Sequence, residues 1–238
     1  WHDWNIGTTP KRLGVPTAVS ELSLTFPFND AEALSDLLKR YGGDVAAVVI
    51  EPTGKIVPRD GFLAEVRRLC DKYGNILVFD EVVSGFRINI GGAQAHYNVT
   101  PDLAAFGKAM ANGYPLSALV GSKKIMTRME DIFFSATFGG ELSSIAAALA
   151  TIEKIEDTQA IKRMNSLGET MMASFNKFIE NAGLGNMISY SGEGWWPRVS
   201  LKETPIEQAK TLALMRQEFA AQNLLIASGL ISLLEKII

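Results

Sequence analysis

Ile76-Leu77-Val78-Phe79-Asp80 is the stretch on which the fold turns. Four consecutive apolar residues, two of them β-branched, are too short for a helix and read as a buried strand, which ends on a carboxylate. Upstream, Val45–Ile50 is a second such run and ends in Glu51-Pro52. Between the two, Phe62, Val66 and Leu69 recur at helical spacing within Asp60–Tyr73, and Asp60 is placed to cap that helix. Downstream, Leu103–Phe106 runs into Gly107-Lys108, and Ser117–Val120 is followed by Gly121. Repeated β-turn-α units of this kind predict an α/β fold with a mainly parallel sheet flanked by helices.

Further along, Glu141–Ile155 reads as an alanine-rich helix and Ile161–Asn181 as a long amphipathic one. The composition then shifts to Gly and Ser through Gly183–Trp196, a stretch containing a strand at Met187–Tyr190. Arg198–Leu201, a helix near Ile206–Ala221 and a strand at Leu224–Ile226 complete the pattern. We therefore expect a large domain over residues 1–165, its N-terminal part missing, and part of a smaller α+β domain over 166–238.

Composition narrows the functional classes. Hydrophobic residues make up 47% of the 238, enough for a sizeable core, and the net charge of −3 is spread over interspersed residues of both signs. No basic stripe points to nucleic acid or a membrane surface, and no apolar run approaches the ~18 residues that a membrane span needs. Cys70 is the sole cysteine and His2 and His96 the only histidines, so a dense metal site is not expected, and a reducing, cytoplasmic setting is. Trp1-His2-Asp3-Trp4 does not read as a signal peptide, and without an initiator Met an upstream part is expected to be missing.

In open parallel sheets, ligands bind beyond the carboxyl ends of the strands. Glu51, Asp80 and Lys108 would all lie at that edge. Asp80 alone resembles the acidic end of a Walker B strand, but a phosphate loop needs G-x-x-x-x-G-K-[ST]. Here Gly54-Lys55 is followed by Ile56 and Gly107-Lys108 by Ala109, so a nucleotide-binding reading fails. Lys108, set between apolar Leu103–Phe106 and Ala109-Met110-Ala111, is expected to be partly desolvated, which favours the neutral amine that forms a Schiff base. Asp80 and Lys108 together fit pyridoxal 5'-phosphate, which needs a lysine for its aldehyde and an acidic or basic partner for its ring nitrogen.

Three segments carry a family resemblance. Ile76–Arg87 (ILVFDEVVSGFR), Pro101–Gly121 (PDLAAFGKAMANGYPLSALVG) and Phe134–Glu141 (FSATFGGE) resemble, in order and spacing, segments of the class III pyridoxal-phosphate-dependent aminotransferases. The resemblance implies aminotransferase fold type I and a homodimer with shared active sites. It implies that Asp80 pairs with the pyridinium nitrogen, Val82 packs on the ring, and Lys108 forms the internal aldimine and shuttles protons. Thr137 would bind the cofactor phosphate of the neighbouring subunit, or else merely cap a helix. Gln94 matches the pattern without a role. Glu81 and Arg87 are expected to form a structural ion pair, and His96 is read as structural.

Within that family the chain resembles the glutamate-1-semialdehyde 2,1-aminomutase branch and related aminotransferases. That branch is glycine-rich after the lysine, where this chain has Ala109-Met110-Ala111-Asn112-Gly113-Tyr114. It also carries an amide after the Glu-Pro pair, where this chain has Lys55, Ile56 and Val57. Transamination between a small-molecule amino donor and a carbonyl acceptor is therefore favoured over the aminomutase reaction. A non-catalytic relative is the remaining alternative, and the intact Asp80–Lys108 pair argues against it. The family's phosphate turn and stacking aromatic would precede Trp1, so the 238 residues alone are expected to hold the cofactor weakly.

Overall fold

A computed structural model describes residues 2–54, 56–202 and 205–224. They fall into two compact units: one runs up to Ala46 and adds Pro58–Asn75, and the other joins Ala47–Val57 to the residues from Ile76 onward.

The first unit is helical: α1 (Asp3–Ile6), α2 (Thr17–Ser20), α3 (Ala31–Tyr41) and α4 (Phe62–Tyr73). Asp30 caps α3, its carboxylate accepting from the Ala33 N–H at 2.9 Å. Leu34 and Leu38 on α3 and Phe62, Leu63, Val66, Leu69 and Cys70 on α4 are buried, so the helical spacing read from the sequence marks the inner face. Asp60 does not cap α4. The cap is Gly61 at φ +77°, a left-handed turn that favours glycine over aspartate. Asn75 closes the unit, its Nδ2 donating to the carbonyls of Gly42 (3.0 Å) and Val45 (2.6 Å).

The second unit is built on a sheet of order β1-β2-β3-β4, with β1 (Ala47–Ile50), β2 (Ile76–Asp80) and β3 (Leu103–Phe106) parallel and β4 (Ala118–Gly121) antiparallel to β3. The predicted parallel core is present, and the antiparallel edge strand is the addition. Val48 stands beside Leu77, and Ile50 beside Phe79 beside Ala104; all five are buried on one face. The other face of β1 is open, with Val49 38% exposed, so its continuous apolar run covers one buried face rather than two.

Around the sheet the second unit carries α5 (Gly92–Tyr97), α6 (Lys123–Met126), α7 (Leu142–Thr158) and α8 (Ala160–Asn181), then the hairpin β5 (Ile188–Ser191)–β6 (Arg198–Leu201) and α9 (Pro205–Ala221). The strand expected at Leu224–Ile226 lies largely outside the described residues. Glu141 caps α7, accepting from the N–H groups of Ser143 and Ser144; bonds from the two serine side chains, and then these backbone bonds, hold its carboxyl down at about 2. A carboxyl depressed in the fold adds stability above its ordinary value of 4.5, and the contribution disappears as pH falls toward 2.

The hairpin is fastened to α8. Asn176 Nδ2 donates to the Tyr190 carbonyl at 2.8 Å, the Tyr190 N–H returns a bond to Asn176 Oδ1 at 2.7 Å, and Phe175 stacks on the Tyr190 ring. About two turns earlier in α8, a Cβ on Gly168 would collide with the carbonyl oxygen of Gly194. Gly168→Ala gains about 1 kcal/mol of helix propensity. Forcing a methyl against backbone costs about 1–3 kcal/mol and often more, because no side chain can swing aside. The variant is expected to denature at lower denaturant concentration than the parent. An equal or higher midpoint would show that the 192–196 loop yields freely.

Candidate active site

The parallel register sets the site. Ile50 pairs with Phe79 and Asp80 with Ala105, so the first residue beyond β1, Glu51, arrives next to Asp80 at the end of β2. The Glu81 N–H continues the ladder onto the Ala105 carbonyl at 2.9 Å. Lys108 follows two residues beyond β3. The three residues expected at one edge are therefore brought to one edge, and their charges act on each other. Partial burial and then the Asp80 carboxylate raise the pKa of Glu51, while Lys108 opposes them. Glu51 stays solvent-exposed, so burial is the weaker part of that argument and the charged neighbours the stronger.

Asp80 is half-buried and its Oδ1 accepts from the Val82 N–H at 3.1 Å, which orients the carboxylate. Val82 Cγ1 would lie 3.6 Å from a Cβ built on Gly107, so the glycine before Lys108 leaves the Val82 side uncovered. A flat ring spanning Asp80 and Lys108 needs that clearance, and the residues present fit such a group. Lys108 has φ +44° and opens a 3-10 turn, Lys108–Met110, in which the Met110 N–H bonds to the Gly107 carbonyl at 3.0 Å. A left-handed lysine costs on the order of 1–3 kcal/mol and persists because its surroundings dictate it. Ala109, Met110 and Ala111 are buried, but the Lys108 side chain is exposed, contrary to the expectation of desolvation. The apolar neighbours are buried while Lys108 itself stays exposed, so their burial does not extend to it.

Two expectations fail nearby. Glu81 and Arg87 do not pair. Glu81 is fully buried and accepts from Ser84 Oγ (2.9 Å) and the Ala93 N–H (2.6 Å). It also accepts from the backbone and side-chain amides of Gln94 (3.1 and 3.4 Å), so that it binds the start of α5. Arg87 donates to the Val83 carbonyl at 2.7 Å, and burial lowers its pKa. The carboxylate satisfies backbone donors that have no other partner, which leaves it nothing for the guanidinium. Thr137 does not cap a helix either: that position is Glu141, and Thr137 is exposed in the turn at 137–140. His96 is exposed and packs edge-on against Tyr97.

Sequence reasoning missed Trp196. A Cβ on Gly54 would sit 3.2 Å from both Glu51 Oε2 and Trp196 Cζ3, so the indole stands across the turn from the Glu51 carboxylate. Arg198 lies over that indole at 5.2 Å, and Trp195 beside it is buried. The Trp195-Trp196 pair was the available signal, within a stretch read only as a shift in composition.

A carboxylate and a lysine at the carboxyl edge of a mainly parallel sheet have the chemistry that a carbonyl cofactor with a basic ring nitrogen needs. The chain belongs to the class-III aminotransferase family, whose model matches residues 6–195. It is 35% identical over 229 residues to a 3-aminobutyryl-CoA aminotransferase of Cloacimonas acidaminovorans, covering 93% of this chain and 53% of that protein. It is 41% identical over 167 residues to a glutamate-1-semialdehyde 2,1-aminomutase of Ignicoccus hospitalis, covering 67% of this chain and 40% of that one. Its structure superposes on the PLP internal aldimine form of the Sphingopyxis sp. MTA144 FumI protein with a TM-score of 0.87 and 26% identity, over 99% of this chain and 57% of that one. The chain thus spans about half the length of the curated relatives it matches.

Proposed function

We propose that the whole protein is a pyridoxal-phosphate-dependent aminotransferase that moves an amino group from a small-molecule donor to a carbonyl acceptor. The observation that carries this reading is the placing of Asp80 and Lys108 at one sheet edge, on a chain of this family. When bound, the cofactor supplies an aldehyde and an electron-accepting ring. Asp80, held by the Val82 N–H, keeps a proton on the ring nitrogen. Val82 packs on one ring face. Lys108 would hold the cofactor's aldehyde through Nζ and would move a proton to and from the reacting carbon.

Transamination is favoured over the aminomutase reaction because Ile56 and Val57, both exposed after the Glu-Pro turn, offer no amide there. A screen of amino donors on the full-length protein, followed by the cofactor's absorbance, tests the activity. Conversion of glutamate-1-semialdehyde alone would favour the aminomutase.

The dimer belongs to the same proposal. Phe133 (97% exposed), Leu142 (78%), Phe134 (69%), Leu149 (66%) and Phe138 (57%) cluster in sequence around Thr137, an apolar stretch that a second copy would cover. With sites shared between subunits, a hybrid dimer of one Lys108→Ala and one Thr137→Ala chain rebuilds one complete site. Its tight cofactor binding should exceed that of either parent dimer. A charged hydrogen bond of about 1.5–3 kcal/mol makes the Thr137→Ala defect roughly 10–150-fold in Kd. A hybrid no better than its parents, or an active monomer by light scattering, would remove the shared site. No described helix is long and apolar enough to cross a membrane. We also propose a cytoplasmic location, on the low cysteine content of the 238 residues, which carry Cys70 alone.

A further inference from the structure

We propose that Glu51 is a positioning residue of this site: its carboxyl, set beside Asp80 and within electrostatic reach of Lys108, takes up or releases a proton in answer to the charge on those two residues. The proposal rests on the reading of Asp80 and Lys108 as the cofactor pair. The placement follows from the register, since the Ile50–Phe79 pairing delivers Glu51 and Asp80 side by side on neighbouring parallel strands. The turn after β1 passes close to the carboxylate, since a Cβ on Gly54 would lie 3.2 Å from both Glu51 Oε2 and Trp196 Cζ3. No described residue donates a hydrogen bond to it. The charged groups that act on it are Asp80 from β2 and Lys108 from the turn after β3, while Trp196 adds apolar surface.

Burial and then the Asp80 carboxylate on the adjacent strand both favour the protonated Glu51 carboxyl, so its pKa lies above the ordinary 4.5. The Lys108 ammonium pulls the other way. When Lys108 is a free ammonium, Glu51 ionises more readily. When that charge is lost or shared with a bound aldehyde, the pull weakens and Glu51 keeps its proton to higher pH. The coupling is mutual, so the pH response of whatever Lys108 and Asp80 hold carries a component that belongs to Glu51.

The test uses full-length protein labelled with ¹³C at the glutamate carboxyls, with Glu51→Gln identifying the Glu51 resonance. In the apoprotein the Glu51 midpoint is expected above 4.5 and should fall in Asp80→Asn, a response that a merely structural carboxyl would not give. With pyridoxal phosphate bound, the midpoint should rise, and the pH profile of the cofactor's absorbance should lose one inflection in Glu51→Gln but keep it, displaced, in Glu51→Asp. A Glu51 midpoint indifferent to Asp80→Asn, or superimposable absorbance profiles for parent and Glu51→Gln, overturns the proposal. If no chromophore forms on Lys108, the cofactor reading fails, and the Asp80→Asn shift in the apoprotein still decides the role of Glu51.

Discussion

Lys108→Ala in the full-length protein is expected to abolish transamination while leaving the fold intact. The side chain is exposed, so truncating it removes no core contact, and alanine tolerates the following turn. The chemical loss is large. A positioned acid-base group contributes roughly 10²–10⁴-fold in rate, and the covalent anchor is lost with it. Borohydride reduction of the cofactor-loaded parent, followed by peptide mapping, should place the pyridoxyl group on Lys108. An adduct on Lys55, Lys123 or Lys124, or a Lys108→Ala variant with more than about a hundredth of parental turnover, would move the chemistry elsewhere.

Asp80→Asn is expected to have the second-largest effect. The substitution keeps the shape and the acceptor for the Val82 N–H but removes the charge. A charge-assisted hydrogen bond is worth about 1.5–3 kcal/mol, or roughly 10–150-fold. The fall in turnover should exceed that range, because an unprotonated ring nitrogen also draws electrons poorly. Cofactor affinity should change much less than turnover. Near-parental turnover in Asp80→Asn, measured under single-turnover conditions, would show that the carboxylate orients without supplying charge.

Much of this site was legible because short, fully apolar runs leave few readings. Ile76–Phe79 and Leu103–Phe106 appear as strands within a residue of where the sequence places them, and their carboxyl ends carry Asp80 and, two residues on, Lys108. Strand direction is not written locally, so β4 at Ala118–Gly121 could be recognised but not its antiparallel course. Gly61 displaced Asp60 at the start of α4 because a positive φ leaves no mark in apolar spacing. The Glu81–Arg87 pairing failed for a related reason: charge is visible in sequence, whereas the backbone N–H groups of Ala93 and Gln94 that claim Glu81 are not. Lys108 shows the limit of reasoning from neighbours, since surrounding apolar residues say what is buried near a side chain but not which way it points.

The left-handed backbone at Lys108 has a consequence for laboratory evolution. At φ +44° glycine would sit with less strain than lysine, so a library sorted only for heat resistance is pulled toward a residue without an amine. With Lys108 in the role proposed for it, stability and chemistry make opposing demands at that one position, and a selection has to read out turnover to hold the lysine in place.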